Sequence, residues 1–372
     1  MSEEFSFVDH SHRRFNPLTN SWVLCSPHRA KRPWLGQVED AAVEQRPSYD
    51  PKCYLCPGNT RATGAKNDSY ASTYVFENDY AAVHAAQPDC STTALAQVAG
   101  KGASAELFQV ESMRGQCKVV CFSPRHDLTL PELSFEEIGK VINAWQKLYR
   151  DMSETPGIGY VQLFENKGAM MGCSNPHPHG QLWALSDVPS EPAKEISSLK
   201  SFHAEHASDA CSCLLCSYAA AEQKNSETEA TNRVVFQNDS FMALVPFWAV
   251  WPFETMIVSK QHVKSVADLD SKQVLDLAEA MQNLTARYDN LFQCSFPYSM
   301  GLHQAPTETH EDAEFCHLHL HFYPPLLRSA TVRKFLVGFE MMAEPQRDLT
   351  AEQAAARLRA LSSVHYKVAA KN

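Results

Sequence analysis

Two stretches of the chain carry apolar residues at helical spacing. In "LSFEEIGKVINAWQKLYRDM" (133–152), Ile138, Val141, Ile142, Trp145, Leu148, Tyr149 and Met152 recur every three or four residues, which places them on one side of an α-helix. Ser134 and Glu137 precede that run three positions apart and form a capping box. A second stretch puts Val274, Leu277, Met281, Leu284 and Tyr288 on one face. Thr350 and Gln353 supply the same start signal for a C-terminal helix in "DLTAEQAAARLRAL" (348–361). Short β-branched and aromatic runs flank the first two helices and read as strands.

These elements come in one order, written twice. The first half runs "CYLC" (53–56), "YVFENDYAAV" (74–83), "KVVCFSPRHDLTLPEL" (118–133), a helix, "YVQLFENKG" (160–168) and "NPHPHGQLW" (175–183). The second runs "CLLC" (213–216), "VVFQNDSFMALVPF" (234–247), "ETMIVSKQHVKSVADL" (254–269), a helix, "YSMGLHQAP" (298–306) and "FCHLHLHFY" (315–323). Six landmarks in the same order indicate an internal duplication with divergent loops. The expected fold is α+β: two tandem halves, 1–195 and 196–372, each an antiparallel sheet with a crossing helix. Residues 203–231 are expected to connect the halves, and 88–105, rich in Gly, Ala and Ser, to form an exposed loop.

Composition narrows the function classes. The 372 residues are 44% hydrophobic and 20% charged, ordinary for a globular protein, and the formal net charge is −10. That charge argues against a broad nucleic-acid or acidic-membrane surface. An anionic ligand must therefore meet local positive charge, as in "SPHRAKRPW" (26–34) and "RSATVRKF" (328–335). No apolar run is long enough to span a bilayer, and "MSEEFSFVDHSHRR" is no signal peptide. The twelve cysteines are then expected to be thiols and metal ligands in a cytoplasmic protein.

Chemistry concentrates at Cys and His. Cys53 and Cys56 form a C-x-x-C turn, followed in the same half by His126 and His177. Alone the pair could be a redox couple or two buried cysteines; with two histidines following, and the same set repeated in the second half, a Cys2His2 zinc site is expected. Cys213, Cys216, His262 and His317 repeat the set in order and make a third candidate metal site. His317, His319 and His321 share a strand face, with His303 upstream. In "NPHPHGQLW", a strand would likewise put His177, His179 and Gln181 on one face. With zinc at His177, His179 is left as a nucleophile or as a second partner of the metal ligand.

"FENKGAMMGCSNPHPHGQLW", "SPHRAKRPW", "CYLCPGN", "FPYSMG", "HFYPPLLRSATVRKFLVGFE" and "QRDLT" together resemble the galactose-1-phosphate uridylyltransferase family of the histidine-triad superfamily, over nearly the whole chain. The resemblance implies two histidine-triad-like halves and a ping-pong transfer of UMP between UDP-glucose and galactose 1-phosphate. His179 is the implied nucleophile and Gln181 the donor to the uridylyl phosphate. Gly172, Cys173 and Ser174 are expected to offer backbone and hydroxyl donors. Uridine and phosphate contacts carry over to Arg29, Arg32, Asn78, Asp79 and Asn166, and hexose-phosphate contacts to Lys334, Phe335, Val337, Glu340 and Gln346. The hexose segment is implied to reach the site of a neighbouring subunit, hence a homodimer; Phe339 stands where a tyrosine is expected in many relatives. The resemblance also implies zinc at Cys53, Cys56, His126 and His177, and iron or zinc at Glu195, His303, His319 and His321. Other histidine-triad transferases, hydrolases or phosphorylases are the alternative. A zinc-stabilised binding protein leaves His179 unexplained, and a zinc-finger nucleic-acid binder conflicts with the net charge.

Overall fold

The computed structural model describes residues 4–31, 46–91, 94, 97, 107–307 and 310–369. Arg32 and most of the predicted loop 88–105 lie outside the described residues. The strands are β1 (His12–Asn16), β2 (Ser21–Cys25), β3 (Tyr74–Glu77), β4 (Gly115–Cys121), β5 (Tyr160–Lys167), β6 (His179–Leu185), β7 (Val234–Gln237), β8 (Phe241–Leu244), β9 (Thr255–Ser259), β10 (Tyr298–His303), β11 (His319–Tyr323) and β12 (Gln346–Arg347). The longer helices are α1 (Phe135–Ser153), α2 (Ser190–Glu205), α3 (Leu214–Asn225), α4 (Ser271–Phe292) and α5 (Ala351–Arg359).

The halves do not make two sheets. They share one antiparallel sheet of nine strands, in the order β3-β4-β6-β5-β10-β11-β9-β8-β7. Its centre is the pair of equivalent strands β5 and β10, with Gly301 opposite Phe164 and Tyr298 opposite Lys167. Outward from this seam, β6 and β4 on one side match β11 and β9 on the other, so the duplication appears as pseudo-twofold symmetry. A central strand in a longer sheet has both edges paired, which removes the exposed edge each half would otherwise present.

Both predicted helices form. Ser134 Oγ accepts from Glu137 N at the start of α1, and Asp270 Oδ1 accepts from Gln273 N at the start of α4. Trp145, Leu148 and Tyr149 of α1 and Leu277, Met281 and Leu284 of α4 lie in one core with Leu163, Leu182, Leu302 and Leu320 of the central strands. Buried Gln146 stitches the halves by donating to Val266 O at 3.0 Å and Leu269 O at 2.8 Å. α5 begins at its Thr350–Gln353 capping box.

The fold departs from the sequence expectations in three places. β1, β2 and β12 build a small second sheet that joins the two ends of the chain. α2 and α3 occupy the stretch read in part as a connector, because their apolar positions are few: Ile196 and Leu199 in one, Leu214, Leu215 and Ala219 in the other. Finally, β6 starts at His179, so His177 stands ahead of the strand, between Pro176 and Pro178. Proline lacks the N–H a ladder needs. Among the described residues, no helix is long and apolar enough to cross a membrane, and none of the twelve cysteines is in a disulfide.

Candidate active site and metal centres

β6 runs between β4 and β5, with His179 opposite Cys121 and Gln181 opposite Val119 and Phe164. Gly180 between them permits this close packing: a Cβ there would stand 2.8 Å from Phe164 O and 2.9 Å from Phe122 Cζ. His179 Nδ1 lies 2.7 Å from His177 O. A carbonyl only accepts, so Nδ1 carries the proton and Nε2 keeps its lone pair. Burial lowers the His179 pKa, favouring that neutral ring.

His179 borders a cavity of 310 Å³ that also draws on Asn78, Asp79, Asn166, Gly172, Cys173, Ser174 and Gln181. Eight residues chosen from the sequence thus meet in one place. The Trp183 indole donates to Gln181 Oε1 at 3.2 Å. Because an indole N–H cannot accept, the atom facing it must be the amide oxygen, and the Gln181 NH2 has no partner among the described residues. Asn166 shows the same logic: Ser299 donates to its Oδ1 at 2.7 Å, which leaves its NH2. Asn78 Oδ1 accepts from Tyr80 N, and Asp79 Oδ1 accepts from the Thr63 hydroxyl at 3.1 Å beside Arg61 Nη1 at 3.4 Å.

The turn at 168–174 differs from expectation. Gly172 N donates to Ala169 O and Cys173 N to Gly168 O, so both N–H groups close the turn on itself. The Cys173 thiol donates to Asn175 O at 3.1 Å, and burial pushes that thiol up. The Ser174 hydroxyl is exposed and has no hydrogen-bond partner among the described residues. Gly172 sits at φ +79°, the left-handed region glycine tolerates. The sequence reading missed the cavity's apolar wall of Leu55, Ala62, Phe76 and Val119, and Arg61, whose cation lies 4.2 Å over the Phe76 ring. The signal was there in part, since Leu55 lies inside the C-x-x-C turn and Phe76 two residues before Asn78.

The remaining predicted contacts lie elsewhere in the same chain. Arg29 is half exposed and pairs with Asp348 at 3.1 Å, while Gln346 Nε2 donates to Asp348 Oδ1 at 2.6 Å. Lys334 pairs with Glu340. Phe335, Val337 and Phe339 are exposed by 62%, 56% and 51%, unusual for apolar side chains so close together in sequence. None of these residues borders the His179 cavity.

Cys53, Cys56, His126 and His177 form one buried group whose ligand atoms all lie within 4.8 Å of one another. Cys56 Sγ is 3.6 Å from His126 Nδ1 and 3.5 Å from His177 Nδ1. His177 Nε2 donates to Ser123 O at 2.9 Å, so its bare Nδ1 faces the sulfurs, and burial pushes this imidazole down to about 4. Two thiols and two neutral imidazoles, with the second ring nitrogen held by a carbonyl, suit a tetrahedral metal ion.

A second group gathers Glu195 of α2 with His303, His319 and His321. Glu195 Oε2 is 2.6 Å from His303 Nδ1 and 3.2 Å from His319 Nε2, and Oε1 is 3.4 Å from His321 Nε2. His319 Nε2 and His321 Nε2 lie beside Glu195 but outside hydrogen-bond geometry, and His321 Nδ1 is buried with no partner among the described residues. Such orphaned donors and acceptors fit a metal ion. Burial pushes His321 down to about 4. Burial also works against the Glu195 carboxylate, but His303 and the other imidazoles hold it well below the usual carboxylate range. Glu195 has no local sequence signal, since only the fold brings α2 over β10 and β11.

Comparison with known proteins identifies the family of the chain. The family model described as galactose-1-phosphate uridyl transferase, N-terminal domain, matches residues 3–189, and the corresponding C-terminal domain model matches 195–370. The chain is 51% identical to a galactose-1-phosphate uridylyltransferase of Schizosaccharomyces pombe, covering 98% of this chain and 99% of that one. It is 52% identical to the protein of the same name from Haemophilus influenzae, over 99% of each. A solved uridylyltransferase structure superposes with a TM-score of 0.70 at 29% identity, over 94% of this chain and 98% of the other. An ADP-glucose phosphorylase from Arabidopsis thaliana shares the fold, with a TM-score of 0.67 at 23% identity over 95% of this chain and 100% of that one. The chain belongs to the galactose-1-phosphate uridyl transferase family.

Proposed function

We propose that the protein is an enzyme transferring UMP between UDP-glucose and galactose 1-phosphate, with glucose 1-phosphate and UDP-galactose as products. The observation that carries the reading is His179. Its tautomer is held by the His177 carbonyl, and its Nε2 has no hydrogen-bond partner among the described residues beside a cavity lined by Asn78, Asp79, Asn166 and Gln181.

In the first half-reaction Nε2 attacks the α-phosphorus of UDP-glucose. The bond from that phosphorus to the bridging oxygen breaks, and glucose 1-phosphate leaves with the electron pair. The leaving group's second pKa is about 6, so no strong general acid is needed. The ring gains positive charge as the P–N bond forms, and the Nδ1–H···O=C bond to His177 stabilises it. In the second half-reaction a phosphate oxygen of galactose 1-phosphate attacks the same phosphorus, and Nε2 recovers its lone pair. The Gln181 and Asn166 NH2 groups and the Ser174 hydroxyl hold the phosphoryl oxygens in place for in-line attack. Asn78 and Asp79 suit ribose hydroxyls, and Leu55, Ala62, Phe76 and Val119 suit the flat uracil.

Zinc at Cys53, Cys56, His126 and His177 would tie the 53–56 turn to the segment that carries His179. Iron or zinc at Glu195, His303, His319 and His321 would fasten α2 to the second half. Arg29 meets the uridylyl phosphates, while Lys334, Phe335, Val337, Glu340 and Gln346 serve the cavity of a second copy, which makes the enzyme a homodimer. Unpaired thiols throughout support a cytoplasmic location.

The test is incubation with uracil-labelled UDP-glucose alone. Label is expected on His179 through an acid-labile, base-stable link, with release of glucose 1-phosphate. Equal labelling of His179→Ala would overturn the mechanism.

A further inference from the structure

We infer that Cys213, Cys216, His262 and His317 hold a third metal ion, in a tetrahedral site of the zinc class. Their ligand atoms lie within 4.8 Å of one another, the same criterion met by the first-half group. Cys213 Sγ and Cys216 Sγ are 3.2 and 3.6 Å from His317 Nδ1. The His262 and His317 rings are 5.5 Å apart at 50°, against 5.6 Å and 54° for His126 and His177. The duplication has thus kept not only the four residue types but also the relative pose of the two imidazoles.

The supporting contacts are repeated as well. His317 Nε2 is held by Ser259 O at 2.8 Å, as His177 Nε2 is by Ser123 O, so each histidine turns a bare Nδ1 towards its thiols. Cys213 also caps α3, its sulfur accepting from Cys216 N at 3.4 Å, which sets both thiols on one turn. The two centres differ in exposure. All four first-half ligands are buried, whereas His262 is exposed and the second cysteine pair only half buried.

The third ion has structural work. It pins α3 to the start of β11, and His317 O accepts from His319 Nδ1 at 2.7 Å. That bond leaves His319 Nε2 free to face Glu195, so the third centre orients a residue of the second. This reading is independent of the transferase activity.

Metal analysis of the full-length protein loaded with Zn2+ tests it. Cys213→Ser with Cys216→Ser is expected to contain one zinc fewer per chain than the parent. His262→Ala, which changes only an exposed ligand, is expected to lose the same equivalent at least tenfold faster to a chelator. In Co2+-loaded protein, the thiolate-to-cobalt charge-transfer band arises only from Cys-containing sites, so the double variant should show about half its intensity. Equal zinc content, release kinetics and cobalt band in the parent and both variants would overturn the proposal. So would an intact mass of the parent showing a Cys213–Cys216 disulfide.

Discussion

At the scale of single residues, the candidate site depends on tautomers and amide orientations that neighbouring groups impose. His179 and His319 donate through Nδ1 to carbonyls two residues back, each at 2.7 Å, so the two halves prepare an imidazole in the same way and then use it differently. In the first half the free Nε2 meets a cavity; in the second it meets Glu195. Gln181 is oriented by Trp183, whose ring is itself braced edge-on against Phe164 at 5.8 Å. Trp183→Phe keeps an aromatic ring beside Phe164 and removes the indole N–H, along with part of the ring's packing. Losing one orienting hydrogen bond, worth about 1 kcal/mol, should slow uridylylation of His179 roughly five- to tenfold while KM for UDP-glucose changes little. Single-turnover labelling checks this, and an unchanged rate would show that Trp183 does not position Gln181.

At the scale of elements, β1 is tied to α5 by a charged clamp. Arg14 donates through both Nη atoms to the Glu352 carboxylate at 3.0 Å, and Arg233 Nη1 adds a contact of 2.7 Å. Burial pushes the Glu352 carboxyl up, but the guanidinium of Arg14 and then Arg233 outweigh it and hold it at about 2. A carboxylate with a depressed folded pKa stabilises the fold above its unfolded value near 4.5, and the contribution is lost as pH falls towards 2. The difference is worth up to about 3 kcal/mol at neutral pH. Glu352→Gln should therefore unfold at lower denaturant than the parent at pH 7, with the gap closing between pH 4.5 and 2. Equilibrium unfolding at several pH values measures it, and a pH-independent gap would refute the clamp.

At the scale of the molecule, one nine-stranded sheet carries a cavity in one half and a candidate metal group in the other. Phe335, Val337, Phe339, Met341 and Met342, the last 85% exposed, are left uncovered by the described residues of a single chain. If this segment completes the site of a second copy, His179→Ala and Lys334→Ala should each be inactive alone yet complement when mixed. Random reassociation yields half heterodimers, each with one intact site of two, so about a quarter of parental activity should return. No recovery would place Lys334 in the cavity of its own chain.

Helical spacing and capping pairs were enough to locate α1, α4 and α5, because those signals are local and repeat with the helix. Repetition of the motif order likewise exposed the duplication and both Cys2His2 groups, since ligand types must recur wherever the same site is built. Glu195 followed from the resemblance alone. Other features depended on contacts between distant segments, which no local pattern records. The fusion of two sheets at β5 and β10 is one, and the small sheet joining the chain ends is another. The apolar wall of the cavity, Arg61 beside Asp79, and the closed turn that consumes the Gly172 and Cys173 N–H groups belong with them. Residue types and their order thus determined which chemistry the chain can do. Tertiary packing decided which nitrogen of each histidine is free to do it, because a tautomer is set by whatever group faces the other nitrogen.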